Sequence, residues 1–520
     1  TSSCCQDTAT ENLMAGKLMV DSVVLWAKQY HVDGFRFDIM GFHSLANMEA
    51  VRAALDALTV ENDGIDGKAV YLYGEAWNFG ETIDDALFVT ARQANIAGTG
   101  IGTFNDRLRD GVRGGGPFDS DQRTVQGFGT GEFTDPNGYN DAALDQKADL
   151  LYRTNLVRMG LMGNLADFML PSPTGDGTTV VASDFVYGGN QAGGYTKDPT
   201  ESVNYVDAHD NETIFDNGIW KLPVDTSMTD RIRMNNLALA TTALGQSPSF
   251  WHAGADILRS KSLDRNSYNS GDHFNAIDWS LETNVFGTGL PMAGDNSSKW
   301  DAMAPLLANP DLKPSQADME QSFALSLDLL RLRQSTPLLT LGTGDLVKER
   351  VTFPNAGPDP TPGLLVMAVS DPADGAQDID PALDGVLLVF NASPDPIVEA
   401  IDGQAGRDWR LSQIQAAGAD PVVKTTRWDA ATGAITIPAR TAAVLVLAAP
   451  ALEPTPEPTP TPEPTGSATP APLPDVNPDT GSGATTGALM AALLGIAAGL
   501  MASGAGLVLG SRRPRGLTRL

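Results

Sequence analysis

Five short apolar runs, each closing on a polar or acidic residue, constrain the fold of this chain more than any other feature. They are VDGFRFD at 32–38, AVYLYG at 69–74 before Glu75, IGTFN at 101–105, VNYV at 203–206 before Asp207-Ala208-His209-Asp210, and a run at 249–251. Helix-patterned stretches at 44–58 and 228–244 lie between them, and Asn62-Asp63-Gly64 reads as a turn. Strand, helix, strand order predicts parallel βα units. In a (β/α)8 barrel such units carry the residues just past each strand's C-terminal end to one rim, where active sites lie. A doubly wound sheet fits the same alternation, although no GxGxxG follows any run. Five strands do not close a barrel of eight. Thr8 and Glu11, at capping-box spacing, lead into an apolar-periodic run through Leu18, Val23, Val24 and Trp26, so the sequence opens partway through a domain. The expectation is an α/β chain holding strands four to eight of a (β/α)8 TIM-type barrel over 1–338, with the first three strands ahead of Thr1.

From about residue 339 the pattern changes to short strand runs at 363–369, 385–391 and 441–448, separated by turn residues. An all-β sandwich domain over 339–450 is predicted. Apolar residues make up 42% of the 520, enough for a sizeable core, and the net charge of −29 repels phosphate, so a nucleic-acid partner is excluded. The two cysteines, Cys4 and Cys5, are adjacent and build no disulfide framework; they either form a strained vicinal bridge or stay reduced. Five histidines show no HExxH or His/Cys ligand spacing, so no catalytic metal is expected.

Composition shifts again at 451–476, a Pro/Thr/Glu repeat that forms a stiff polyproline-like spacer. Asn477-Pro478-Asp479-Thr480-Gly481 follows, then residues 487–510 without a charge, then Arg512, Arg513, Arg515 and Arg519. At about 1.5 Å per residue the uncharged run spans about 36 Å as a transmembrane helix, with its basic end cytoplasmic. Spacer, Pro-x-Thr-Gly, apolar helix and basic tail over 477–520 resemble a Gram-positive cell-wall sorting signal, with Asn477 where Leu is usual. The resemblance implies a sortase-type transpeptidase that cuts between Thr480 and Gly481 and joins the chain to peptidoglycan; a plain membrane anchor is the alternative. Either places the bulk of the chain outside the cell, secreted and held at the outer surface of a Gram-positive bacterium.

Asp38, Glu75 and Asp210 each follow a strand-like run, and a barrel can gather them on one rim. Hydrolysis of a sugar acetal needs one carboxylate as nucleophile and one carboxylic acid as proton donor. Arg36, two residues before Asp38 on the same strand face, is placed to hold that carboxylate ionised and oriented. The words around these acids, GFRFD at 34–38, YGEAW at 73–77 and AHDN at 208–211, resemble the alpha-amylase superfamily (glycoside hydrolase family 13). Residues 4–43, YLYGEAWNFGE, NIAGTGIGTFNDRLRDGVRGGGPFD, GGYTKDPTESVNYVDAHDNETIFD and AGADILRSKSLDRNSYNSGDHFN are similar to bacterial type I pullulanases.

The resemblance implies Asp38 as nucleophile, Glu75 as general acid/base and Asp210 as transition-state stabiliser. It implies Arg36 and His209 as partners that orient the nucleophile and bind the cleaved sugar, Trp77 as an aromatic sugar platform and His43 on the acceptor side. Arg265, Tyr268 and Asp272 match a donor-side substrate loop. The stretch GQSPSFWHAG departs from the family's usual GIPFFHAG, and His273 stands where Trp is frequent. The family's first motif, an Asp-Val-Val-Tyr-Asn-His-like stretch, is absent from these residues, so the 520-residue chain alone is expected to be inactive. The implied activity is retaining hydrolysis of α-1,6 linkages in branched α-glucans such as pullulan, glycogen and starch dextrins. The alternatives are an α-1,4-acting amylase-type hydrolase and a non-catalytic surface glycan-binding protein. No organic cofactor is required; a structural calcium ion is compatible with the chain, although no ligand loop identifies itself.

Overall fold

The computed structural model describes residues 8–189, 191–371 and 377–450. Helix α1 (Leu13–Tyr30) leads into strand β1 (Gly34–Phe37), followed by helix α2 (Leu45–Asp56), β2 (Tyr71–Gly74) and β3 (Gly102–Phe104). Helices α3 (Asp106–Arg113) and α4 (Gln146–Leu161) precede β4 (Ser202–Val203), and α5 (Ile214–Lys221) and α6 (Met228–Ala243) come after it. The four strands form one parallel sheet in the order β1-β2-β3-β4, and Ser249 extends it through a parallel bridge to Asn204. All five apolar runs therefore lie side by side in chain order, the last as a single bridge rather than a strand.

Register assigns the two faces. Arg36 pairs with Tyr73, and Tyr73 with Gly102, so these residues and Phe104 look out on one side. Phe104 packs there against Tyr73, Tyr205 and Phe250 at ring separations of 5.5, 5.1 and 5.3 Å. Gly102 is required because a Cβ on it would stand 2.1 Å from the Tyr71 hydroxyl. The opposite face, with Leu72, packs on Val23 and Ala27 of α1 and on Met48, Val51 and Leu55 of α2.

The entry to α1 differs from the capping-box expectation. The helix begins at Leu13, after Asn12, and Thr8 lies in a preceding turn where its carbonyl accepts from the Thr10 amide at 2.8 Å. Turn bonds at Ala9 and Thr8 occupy the residues that a box would have used. Of the periodic apolar residues Val23 is buried, whereas Leu13, Met14, Leu18, Leu25, Trp26 and Tyr30 are exposed. The first turn of α2 matches its sequence signal, with the Ser44 hydroxyl accepting from the Asn47 amide at 3.2 Å.

After helix α7 (Gln316–Arg333) come β5 (Val351–Thr352), β6 (Leu364–Ser370), β7 (Leu383–Asn391), β8 (Ile397–Ala400), β9 (Arg410–Leu411), β10 (Arg427–Asp429), β11 (Ala434–Ile437) and β12 (Thr441–Ala448). They make two antiparallel sheets, ordered β9-β12-β7-β6-β5 and β8-β11-β10. Leu364, Val366, Leu387 and Val389 face the second sheet and meet Ile435 and Ile437. Their alternates Leu365, Met367, Leu388 and Phe390 face the other way and share a core with Leu156 of α4, Leu237 of α6 and Leu332 of α7. The larger sheet is thus apolar on both faces, and the described residues form one compact unit. Arg440 ties the halves together through Asp135 at 2.7 Å and Asp230 at 2.8 Å.

The spacer at 451–476, the segment 477–520 with Thr480 and Gly481, the helix at 487–510 and the Cys4-Cys5 pair lie outside the described residues. Among the described residues no helix is long and apolar enough to cross a membrane.

Candidate active site

The C-terminal ends of β1 and β2 are laced together by backbone. The Glu75 amide donates to the Phe37 carbonyl at 3.1 Å, and the Gly41 amide donates to the Glu75 carbonyl at 2.9 Å. A Cβ at Gly41 would stand 2.1 Å from the Trp77 carbonyl oxygen, so only glycine lets the two loops touch. Ile39, between the acids' loops, takes a left-handed φ of 42°, a costly conformation for a β-branched residue. Its amide donates to Glu75 Oε2 at 3.0 Å.

Arg36 sits between both acids. Its Nη1 donates to Asp38 Oδ1 at 2.5 Å and its Nη2 pairs with Glu75 Oε1 at 2.9 Å. One planar guanidinium serves two carboxylates, with its carbon 6.0 Å from the Phe104 ring centre. The environments of the two acids differ: the Asp38 side chain is 72% exposed and that of Glu75 is 9% exposed. Burial raises the Glu75 pKa, opposed by the Ile39 amide and Arg36 and reinforced by the nearby Asp38 and Asp210 charges. A buried carboxyl of raised pKa beside an exposed one is the asymmetry that acid-plus-nucleophile chemistry needs.

A cleft of about 450 Å³ opens over this pair, lined by Arg36, Glu75, Trp77, His209 and Asp210. His209 Nε2 lies 3.5 Å from Asp210 Oδ1, and both side chains are more than half exposed. Six of the residues picked from sequence are therefore gathered: five line the cleft, and Asp38 is joined to it through Arg36. His43 lies behind it instead, its ring edge-on to Phe37 at 6.3 Å and its Nδ1 3.1 Å from the Thr10 hydroxyl. Arg265, Tyr268 and Asp272 do not line the cleft. The Arg265 amide donates to Asn296 Oδ1 at 3.2 Å, Tyr268 is 81% exposed, and Asp272 opens a four-residue helix.

The cleft also holds residues that motif reading passed over: Asp106, Arg109, Tyr205 and Phe118. Arg109 donates from Nη1 to the Tyr205 hydroxyl and from Nε to Asp110, each at 2.7 Å. The sequence signal was present in the charge-rich opening of α3, DRLRD, directly after β3. Among the described residues no three His, Cys, Asp or Glu side chains gather as a metal site.

Known proteins resemble this chain in sequence and in fold. Residues 281–448 match the family model for alpha-1,6-glucosidases, pullulanase-type, C-terminal. Over 450 residues the chain is 41% identical to pullulanase 1, chloroplastic, of Arabidopsis thaliana, covering 86% of this chain and 46% of that protein. It is 40% identical over 446 residues to a pullulanase of Klebsiella pneumoniae, covering 85% of this chain and 39% of the relative. The solved structure of Klebsiella pneumoniae pullulanase complexed with maltotriose superposes with a TM-score of 0.79 at 39% identity, over 86% of this chain and 41% of that one. The chain spans less than half the length of these relatives. Over the residues that align, it is similar to these pullulanases in sequence and in fold, and residues 281–448 carry the pullulanase-type C-terminal match.

Proposed function

We propose that the chain carries the acid pair of a retaining glycoside hydrolase that cuts α-1,6 linkages in branched α-glucans. The observation that carries this is the single guanidinium of Arg36 shared by an exposed Asp38 and a buried Glu75 of raised pKa. Carboxylates on the two nitrogens of one fork are near neighbours, and the retaining mechanism calls for a separation of typically about 5–5.5 Å. Glu75 gives its proton to the glycosidic oxygen as the bond from that oxygen to the anomeric carbon breaks, and Asp38 forms a glycosyl ester at that carbon. Glu75 then takes a proton from water, which attacks the same carbon, expels Asp38 and releases the sugar with its configuration retained. Trp77 offers a flat face to a pyranose, and His209 and Asp210 approach from the β4 side.

The parallel sheet reads best as part of a (β/α)8 barrel. Among the described residues the outer edge of β1 has no partner strand, and this edge and the exposed apolar face of α1 support a further segment packing there. The pattern at 477–520 supports export and covalent attachment to peptidoglycan through Thr480. Release of the protein from walls by a peptidoglycan hydrolase but not by detergent is the expected behaviour, and release by detergent would replace it with a membrane anchor. The test of activity is digestion of pullulan by the protein at its natural length. Maltotriose is the expected product. Cleavage of linear amylose alone would make the enzyme α-1,4-acting, and glycogen binding without any reducing sugar would make it a binding protein.

A further inference from the structure

We propose that Lys261 is a positioning residue that clamps the backbone on both sides of Asp210, and that Asp216 anchors the clamp. The inference rests on the proposed function, in which Asp210 faces the bound sugar.

Lys261 is 1% exposed, and its ammonium donates to the carbonyls of His209 at 3.0 Å and Asn211 at 2.5 Å. Those two residues flank Asp210 in the chain. The Asp210 side chain has little else to fix it: it is 57% exposed, and among the described residues its ion pairing is the 3.5 Å contact with His209. Its direction is therefore set by the backbone that carries it. That backbone is not in a relaxed state, since Asn211 has a left-handed φ of 60°. A conformation of this kind persists where surrounding contacts over-determine it.

The clamp has its own foundation. Asp216, fully buried in the first turn of α5, accepts from the Ser260 hydroxyl at 2.5 Å, the Lys261 amide at 2.7 Å and the Leu263 amide at 3.2 Å. The loop it gathers is strained, with left-handed φ at Ser262 of 54° and at Leu263 of 65°. An ammonium in a dry interior is costly unless several acceptors meet it. A core requirement alone would be satisfied by a neutral side chain of similar length. Here the charge is spent on two carbonyls that bracket one functional carboxylate.

The test uses the protein at its natural length with pullulan as substrate. Lys261→Met keeps the apolar stem and removes the donor. A displacement of Asp210 of the order of 1 Å predicts a loss of about 100-fold in kcat with KM within about two-fold. In an Asp210→Asn background the same substitution should cost less than about three-fold, because the two act through one group. Asp216→Asn, nearly isosteric, is the second variant should Lys261→Met fail to fold, with an expected loss of about ten-fold through the same route. Amide exchange gives a readout independent of turnover: Lys261→Met should speed exchange across 208–212 while 231–243 of α6 stays protected. If the wild-type protein cleaves no α-1,6 bond, the proposed function falls, and exchange alone decides the clamp. Wild-type kcat in Lys261→Met, full additivity with Asp210→Asn, or unchanged exchange at 208–212 would each overturn it.

Discussion

Replacing Phe104 with alanine tests whether the aromatic face of the parallel sheet is a packed layer that holds the site or only a lining of the cleft. Phe104 is 5% exposed and meets three aromatic rings edge-on at 5.1–5.5 Å. Truncating a buried Phe to Ala typically costs about 3–5 kcal/mol in transfer and cavity terms. Each edge-to-face pair adds about 0.5–1.5 kcal/mol beyond area. Tyr73 and Phe250 are only half-buried, so the lower part of that range applies, and about 3–4 kcal/mol is expected. That is a large fraction of the roughly 5–15 kcal/mol that holds a domain together. The assay is urea unfolding followed by fluorescence, with Phe104→Leu as the volume-retaining control at under about 1.5 kcal/mol. Pullulan turnover, measured well below the unfolding midpoint, should also fall, because the Arg36 guanidinium loses the ring beneath it. A stability change under about 1 kcal/mol with turnover intact would refute the packed-layer argument.

Three further outcomes are expected. Asp38→Asn should abolish turnover with substrate binding nearly unchanged, a loss of several orders of magnitude equivalent to about 4–8 kcal/mol of barrier, and is checked by comparing kcat with the dissociation constant for a maltosaccharide. In the proposed mechanism Glu75 works as an acid only while protonated, and burial raises its pKa, so the base-side limb of the kcat/KM profile should vanish in Glu75→Gln and persist in a variant that leaves Glu75 in place. Glu132, fully buried, has a pKa raised by burial to about 7 from 4.5. Between those values the fold keeps a proton that the unfolded chain has released, so stability falls as pH rises through the window. The advantage of Glu132→Gln over wild type should accordingly grow by roughly 1.4 kcal/mol per pH unit from 4.5 to 7 and then level off, as followed by denaturation at fixed pH values.

The positions of the strands were legible because each is a short apolar run stopped by a polar residue, and parallel pairing keeps such runs in chain order. Asp38, Glu75 and Asp210 were legible for the same reason, since the strand ends that carry them share one edge. Lys261 and Asp216 were not. A lysine in a polar stretch such as RSKSLD reads as solvated, and its burial depends on α5, whose first turn lies 45 residues earlier. The start of α1 was misplaced because Thr8 and Glu11 have the right spacing for a cap, yet local turn bonds claim that segment first. The β-sandwich was found at its strands, but alternation within β6 and β7 gave no hint that both faces are covered, because all of their central residues are apolar.

The place of β12 in its sheet has a consequence for how the chain is made. The last of the described strands lies between β9 and β7, so the sheet cannot zip up until Thr441–Ala448 has emerged. Helices α4, α6 and α7 lay their apolar residues on that sheet and stay uncovered until then. About 410 residues separate Asp38 from the end of β12, and at roughly 5–20 residues per second their synthesis takes about 20–80 s. For that interval the half that carries Asp38 and Glu75 is a sticky intermediate in need of a holdase or a rapid finish. A ribosome that stalls before Thr441 leaves behind acids correctly spelled on a scaffold with no lid over its core.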